Sequence, residues 1–247
     1  MNRYKQLVSN GCSFVYDCHE MINFNFTKPL AKKLKCFYKN LALGGASNQR
    51  MFRTTFDWIE KNKSSVSETL FIIGLTETSR TEVFLFDKWR IILPKDILDK
   101  KHHGNLPLIY KGNVFGDDVE KWNSWFKHWV KYFQHDKTEI QKLNRDVLLF
   151  DSYVKQFNSQ VIFFNSFTDT LYDSTKERIN YFSFKNYYEL VEKGSISDTW
   201  FNTYEHEDHP HRVKHEEFAN NLYKYILEDR DKEIFKNNIK KIKNEDN

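Results

Sequence analysis

The sequence predicts an α/β fold, a three-layer α/β/α sandwich around a mostly parallel sheet. Short apolar runs bounded by Gly, Asn or Ser alternate with segments whose apolar residues recur at helical spacing. That alternation is typical of strands wound into a parallel sheet by right-handed crossovers. The chain has 247 residues, of which 40% are hydrophobic and 17% aromatic, enough to bury a sizeable core.

The first part of the chain supplies three strands and two helices in alternation. The third strand is the clearest, since it is a continuous apolar run stopped by Gly74. Thr27 is the expected N-cap of the first helix, and the second helix follows a turn at residues 44–48. The predicted strands cover residues 6–9, 40–43 and 69–74, and the predicted helices cover residues 27–34 and about 48–62.

The alternation breaks at an insertion over about residues 77–117. Residues 82–86 and 89–93 read as a strand pair with a short polar turn. Because the insertion leaves the carboxyl end of the third strand, we expect it near the ligand site, either as a substrate wall or as an ordinary edge hairpin.

The remaining elements complete a single predicted domain over residues 1–227. A buried strand is expected at 161–164, and the charged segment 228–247 reads as a tail. The predicted helices of this part cover residues 118–135, 137–157 and 211–227, with short helices near 173–193.

A serine stands directly after the first predicted strand, in the run Gly11-Cys12-Ser13. The carboxyl ends of strands are where open α/β sheets place their ligand sites. A serine hydroxyl becomes a nucleophile when an imidazole takes its proton. Histidines cluster near the other end of the chain, directly before the last predicted helix, in the segment Glu205-His206-Glu207-Asp208-His209-Pro210-His211.

Four segments follow one another in an order that resembles the SGNH hydrolases, also called GDSL hydrolases, in particular their phage and bacterial branch. Each of the first three lies at the end of a predicted strand, and the last precedes a helix. They are Gly11-Cys12-Ser13, the run 40–48 (NLALGGASN), the run 74–80 (GLTETSR) and the run 208–219, which begins Asp208-His209-Pro210. The resemblance spans the chain to about residue 227 and implies a flavodoxin-like wound sheet and ester hydrolysis.

The resemblance implies a catalytic triad. Ser13 matches the nucleophile, His209 the general base, and Asp208 the acid that orients the imidazole. Two alternatives stay open: Glu207 competes with Asp208 as the acid, and His211 competes with His209 as the base.

The resemblance also implies donors for a tetrahedral oxyanion. The backbone amide of Gly45 matches one of them. Thr76 stands where the family has an asparagine, and its hydroxyl is a shorter donor. Asn48 is a possible substitute amide donor. Losing one such donor typically costs about 10²–10³ in rate, so this departure bears directly on activity.

The function expected from these residues is acyl transfer to water through an acyl-serine. The substrate is a small-molecule or glycan ester, such as an O-acetylated carbohydrate, and no cofactor or metal is expected. The main alternative is a binding or structural protein that keeps the fold with a reduced site. Arg80 either anchors an anionic substrate group or pairs with Glu77 or Glu82. An α/β domain that binds phosphate at helix N-termini is a further alternative, but Gly-x-Gly-x-x-Gly and a P-loop lysine are missing. A metal site is the last alternative, from His206, His209, His211 and His215 with Glu205 and Asp208.

Composition narrows the partners and the compartment. The formal charge of +4 is too mild for the basic stripe of a nucleic-acid protein, and no apolar run is long enough to cross a membrane. Three cysteines fit a reducing compartment. A first strand that starts by about Tyr4 leaves no room for a secretory signal, so we expect a cytoplasmic protein. The abundance of Lys, Asn, Phe and Ile is typical of AT-rich genomes such as those of phages, and virion association would fit too. The sequence leaves the oligomeric state open.

Overall fold

The computed structural model describes residues 3–16, 25–85, 88–92, 128–129, 132, 135–167, 169–183 and 215–228. A parallel sheet of four strands lies at its centre, in the order β2-β1-β3-β6. Tyr181 adds a fifth position to this order, because it forms a parallel bridge with Phe163 of β6. The four strands are β1 (Gln6–Asn10), β2 (Phe37–Asn40), β3 (Thr69–Leu75) and β6 (Gln160–Asn165).

Helices cover both faces of the sheet. On one face α1 and α5 meet around Phe218, whose ring lies 4.8 Å from that of Phe26. On the other face α2 and α3 meet through Phe52 and Phe150, whose ring centroids are 5.4 Å apart. This arrangement confirms the predicted α/β/α fold. The helices are α1 (Thr27–Leu34), α2 (Asn48–Lys61), α3 (Asp136–Lys155), α4 (Asp173–Lys176) and α5 (residues 215–228), and a 3₁₀ helix, Lys63–Glu68, precedes β3.

The core follows from strands that are buried on both faces. All seven residues of β3 are buried, which is why this strand is a continuous apolar run. In β6, successive aromatic rings serve opposite faces: Phe163 contacts Phe150 of α3 at 6.5 Å, and Phe164 contacts Phe218 of α5 at 4.8 Å. The sheet is thereby packed between two aromatic layers.

The predicted hairpin is present as an antiparallel pair, β4 (Thr81–Leu85) and β5 (Lys88–Ile92). The side chain of Gln49, in the first turn of α2, accepts hydrogen bonds from the Thr81 hydroxyl and the Glu82 amide, both at 2.8 Å. The start of the hairpin is therefore held against α2, just beyond the carboxyl end of β3.

Two local predictions are wrong. The second strand is Phe37–Asn40 rather than 40–43, because an edge strand with three exposed residues lacks the apolar signal that residues 41–43 carry. The N-cap of α1 is Phe26, not Thr27, whose hydroxyl instead donates to Ser9 Oγ at 2.9 Å. Most of the predicted helix over 118–135 and the tail beyond 228 lie outside the described residues. The single domain over 1–227 stays a prediction.

Candidate active site

Ser13 lies on a tight turn at the carboxyl end of β1. The amides of Val15 and Tyr16 donate to the Cys12 carbonyl at 3.0 and 3.1 Å, which closes the turn around Ser13. Ser13 is half-buried, whereas Cys12, Phe14 and Val15 are fully buried. The turn therefore anchors itself with apolar side chains and leaves the serine as its partly accessible residue.

Two glycines allow this turn to fold back onto the sheet. A β-carbon at Gly11 would lie 2.2 Å from Val15 Cγ2, and one at Gly74 would lie 2.9 Å from the same atom. Such contacts are far inside van der Waals distance, so both positions require glycine. The Gly-x-Ser pattern in the sequence thus has a packing cause, which is the close approach of Val15 to β1 and β3.

Asparagine side chains fix the backbone of the turn from both sides. Asn40, at the end of β2, donates to the Val15 carbonyl at 2.7 Å and accepts from the Ala42 amide at 3.0 Å. The Asn10 side-chain oxygen accepts from the Gly11 amide at 2.9 Å, while its amide nitrogen donates to α2. These buried bonds pair main-chain groups that would otherwise be costly to leave unpaired.

The loop that carries Gly45 runs beside the serine turn. The Leu41 and Leu43 amides donate to the Ser9 and Gly11 carbonyls at 2.8 and 3.2 Å. Gly45 has φ of 72°, in the left-handed region that favours glycine. The structure therefore brings Gly45 and Ser13 to neighbouring loops at one edge of the sheet.

Asn48 and Thr76 form a reciprocal pair between α2 and the end of β3. Asn48 Nδ2 donates to the Thr76 carbonyl, and the Thr76 amide donates to Asn48 Oδ1, both at 2.9 Å. The Asn48 side chain thus binds the Thr76 backbone. Thr76 is 3% exposed, and its hydroxyl has no hydrogen-bond partner in the part of the chain that the structure describes.

Unpaired buried polar atoms concentrate at this edge. Those found within the described residues belong to only two segments, one following β3 and one at the end of β6. Leaving a buried polar group unpaired costs about 1–3 kcal/mol, so such groups call for an explanation in each case. The atoms are Thr76 Oγ1, Asn165 Oδ1, Ser166 Oγ and Thr170 Oγ1.

Sequence reasoning assigned no role to the residues that end β6. Ser166 is fully buried, and its hydroxyl lies 2.9 Å from where a β-carbon of Gly74 would be. The available signal was the polar pair Asn165-Ser166 directly after the apolar run 161–164, at the same edge as Ser13.

The half-buried phenol of Tyr181 lies beside these residues. Asn165 Nδ2 donates to Asp169 Oδ1 at 2.8 Å and to the Tyr181 hydroxyl at 2.9 Å. Burial raises the pKa of Tyr181 well above its usual range, and the negative charge of Asp169 raises it further. Tyr181 therefore stays protonated at neutral pH and serves as a hydrogen-bonding group, not as a base.

The predicted base and acid, His209 and Asp208, lie outside the described residues, as do Glu207 and His211. The helix that follows them is described. Phe218 of α5 packs on Phe164, near the carboxyl end of β6, and His215 begins the helix one turn earlier with 6% exposure. The first turn of α5 is thus at the edge that carries Ser13.

The metal alternative is equally outside what the structure describes, apart from His215. Within the described residues no group of three or more His, Cys, Asp or Glu side chains gathers around one point. Among the described helices, none has both the length and the apolarity needed to cross a membrane.

Comparison with known families matches residues 22–184 to a family of unknown function, DUF6071. The chain belongs to the DUF6071 family. No curated protein matches it.

Two solved structures are similar in fold to this DUF6071 chain. One is the psychrotrophic esterase EstA from Pseudoalteromonas sp., inhibited by monoethylphosphonate, with 8% identity, a TM-score of 0.48, and coverage of 91% of this chain and 97% of that one. The other is named as a lipolytic protein of the G-D-S-L family from Desulfitobacterium hafniense DCB-2, with 8% identity, a TM-score of 0.46, and coverage of 90% and 99%. Likenesses this distant leave the function to be argued from the chain's own residues.

Proposed function

We propose that the protein is a serine-dependent ester hydrolase of the SGNH type, in which Ser13 forms an acyl intermediate. One observation carries the proposal. Ser13, a half-buried residue, lies at the carboxyl edge of a parallel sheet, where the Thr76 and Ser166 hydroxyls are buried and have no partner among the described residues. Acyl transfer through a serine needs hydrogen-bond donors at the same edge to stabilise the oxyanion, and these hydroxyls can donate.

His209 is the proposed general base, and Asp208 its orienting acid. His209 takes the proton of Ser13 Oγ as the hydroxyl attacks the ester carbonyl, and returns it to the leaving alcohol. The position of α5 supports this assignment of the base. Its first residue, His215, lies at the same edge as Ser13, and the six residues from His209 to His215 can span at most about 20 Å. Glu207 remains the competing acid, and His211 the competing base.

The tetrahedral oxyanion is stabilised by donors from three loops. They are the Ser13 and Gly45 amides and the Thr76 hydroxyl, which is buried and lacks a partner among the described residues. In this proposal Asn48 does not contact the oxyanion but positions Thr76, because its side-chain amide is hydrogen-bonded to the Thr76 backbone. The reaction uses no cofactor or metal, and an O-acetylated carbohydrate is one suitable substrate.

A fluorophosphonate probe and 4-nitrophenyl acetate test the proposal. The wild-type protein should be labelled and should release 4-nitrophenol. Ser13→Ala should abolish the labelling and lower hydrolysis by about 10⁴-fold or to background. Ser152→Ala is the matched control, because Ser152 is an exposed serine of α3 whose hydroxyl bonds only its own helix, to the Leu148 carbonyl.

The histidine variants identify the base. Either His209→Ala or His211→Ala should abolish turnover, and full activity in both variants would rule out a base from this segment. A wild-type protein that is folded by circular dichroism yet neither labelled nor active would favour the alternative, a binding protein with a reduced site. The threonine at position 76, where the SGNH resemblance implies an asparagine, is the observation that favours that alternative.

A further inference from the structure

Arg80 is a largely buried cation with a poorly made ion pair. Its side chain is 15% exposed and follows β3 by a short turn, in which its amide donates to the Glu77 carbonyl at 3.3 Å. Among the described residues, the guanidinium makes a single side-chain hydrogen bond, from Nε to Glu77 Oε2 at 3.3 Å. A guanidinium carries five N–H donors, so four of them have no protein partner there.

A neighbouring ion pair, between Arg53 and Glu82, has much better geometry. Arg53 binds Glu82 through two parallel hydrogen bonds of 2.9 and 2.7 Å, and the Glu82 side chain is 3% exposed. The acid of Arg80 is Glu77, whose side chain is 46% exposed and meets it through one long contact. Exposed single contacts of this kind contribute little, so another carboxylate can replace Glu77 at modest cost.

Aromatic contacts connect Arg80 to the serine turn. Its guanidinium lies over the Phe167 ring at 4.8 Å, and the Phe167 ring lies 4.6 Å from the Phe14 ring. Phe14 directly follows Ser13, so a single ring separates the cation from the residue next to the candidate nucleophile. The cation–π contact with Phe167 favours the position of the guanidinium that is observed.

Arg80 also lines a small surface groove. It runs between the first turns of α2 and α3, and Asn48, the partner of Thr76, contributes to its wall. The other charges in the groove are already matched: Glu139 by Lys142 and Asp146 by Arg145, each at 2.7 Å. Six of the residues that line it are Asn48, Gln49, Thr78, Arg80, Lys142 and Leu143.

We propose that Arg80 binds a carboxylate of the substrate, so that the preferred esters are those that carry a carboxylate near the ester bond. This inference rests on the proposed function, since it names the substrate class of the same site. The planar fork of a guanidinium matches a carboxylate with two parallel bonds. A single cation, with the neighbouring Arg53 and Lys142 already paired to acids, suits one negative charge better than a phosphate dianion.

Two 4-nitrophenyl esters that differ in one negative charge and one methyl group provide the test: the hemisuccinate and its methyl ester, each rate being corrected for spontaneous hydrolysis, which the free carboxylate of the hemisuccinate speeds by intramolecular attack. The ratio of their kcat/KM values is taken within each variant, so any general effect on folding or on the serine cancels. We expect the wild type to favour the hemisuccinate by about 10- to 100-fold, the range that charge-assisted hydrogen bonds supply. Arg80→Gln should bring the ratio within about threefold of unity, with Arg80→Lys in between because it keeps the charge and loses the fork.

The control and a binding measurement make every outcome decisive. Arg3→Gln removes the same charge at the opposite edge of the sheet, before β1 begins, and should leave the ratio unchanged. Monomethyl succinate, titrated by NMR against wild type and Arg80→Gln, tests recognition without turnover. Arg80-dependent binding in a protein that hydrolyses no ester would support the Arg80 site and overturn the hydrolase. Hydrolysis with equal rates for both esters and no Arg80-dependent binding would overturn the Arg80 site and leave the hydrolase standing.

Discussion

Replacing Asn48 tests whether one side chain holds the end of β3 in place. Asn48 is 7% exposed and is bonded to both the amide and the carbonyl of Thr76, which is 3% exposed. Asn48→Ala leaves these two buried main-chain groups without their partner. At about 1–3 kcal/mol for each unpaired group, with partial relief from water, we expect a loss of about 2–4 kcal/mol in the free energy of unfolding. That is a large part of the 5–15 kcal/mol typical of a whole protein.

Asn48→Asp gives a sharper test, because it keeps the shape of the side chain and replaces its amide donor with a carboxylate oxygen. An ionised carboxylate still accepts from the Thr76 amide, but it sets a second acceptor against the Thr76 carbonyl. The protonated carboxyl restores the donor, so the native state holds this proton more tightly than the unfolded chain, where an Asp pKa is about 3.9. A folded-state pKa that is raised in this way gives a stabilisation that is complete below pH 4 and is lost as pH rises through the folded pKa. The variant should therefore approach wild-type stability as pH falls from 7 towards 4.

Urea unfolding followed by intrinsic fluorescence, at pH 7 and pH 5, measures both effects. Asn144→Ala is the matched control for activity. Asn144 is 4% exposed and bridges α3 to the Tyr172 amide at 2.8 Å in the same manner. It should cost similar stability while ester hydrolysis falls only in Asn48→Ala. A loss below about 1 kcal/mol in Asn48→Ala, or an Asn48→Asp variant whose deficit does not shrink on acidification, would refute this account of the clamp.

Two further predictions concern packing and reactivity. Gly74→Ala should lower the free energy of unfolding by about 1–3 kcal/mol in the same urea assay, because its β-carbon would lie 2.6 Å from Phe164 Cζ. Gly44→Ala is the control and should be close to neutral, since the nearest atom to its β-carbon is 4.0 Å away. Equal stability of the two variants would contradict the packing argument. Burial raises the pKa of the Cys36 thiol from 9.0 to about 11, so iodoacetamide should modify it about 100-fold more slowly at pH 8 than a thiol of ordinary pKa, with the rate rising towards pH 11. Mass spectrometry measures this rate in a Cys18→Ser variant, in which Cys36 and the buried Cys12 are the remaining cysteines. Alkylation as fast as that of a free peptide thiol would contradict the prediction.

Elements with one dominant local signal could be predicted from the sequence. The third strand, a continuous apolar run, was placed within one residue of its observed end at Leu75, because burial on both faces leaves no alternation to misread. The second strand was displaced by three residues. Its observed residues include Phe37 at 82% exposure, and an edge strand open to solvent carries no apolar pattern.

The features of the candidate site also differ in whether the sequence alone could predict them. The Ser13 turn is marked locally by Gly-x-Ser, and the structure gives the reason in the 2.2 Å approach of Val15 to a β-carbon at Gly11. The pairing of Asn48 with Thr76 joins residues 28 positions apart, and only the assembled fold reveals that the Asn48 amide is engaged. The unpaired hydroxyl of Ser166 is likewise a property of the packed edge, since a serine after a strand is common in any sequence.

The polar groups at the carboxyl edge of the sheet are of two kinds, main-chain groups and side-chain hydroxyls, and they differ in how they are hydrogen-bonded. The main-chain groups are paired with asparagine side chains, which can donate and accept at the same time. Asn10 accepts from the Gly11 amide, Asn40 donates to the Val15 carbonyl, and Asn48 donates to the Thr76 carbonyl. Hydroxyls at the same edge are left without partners among the described residues. The first kind makes the loops rigid. The second leaves hydrogen-bonding capacity that none of the described residues takes up, and the proposed oxyanion would use that of Thr76. Because each unmade bond in a rigid buried setting lowers stability, a paired backbone beside hydroxyls that lack partners among the described residues fits the proposed ester site better than an edge built for stability alone.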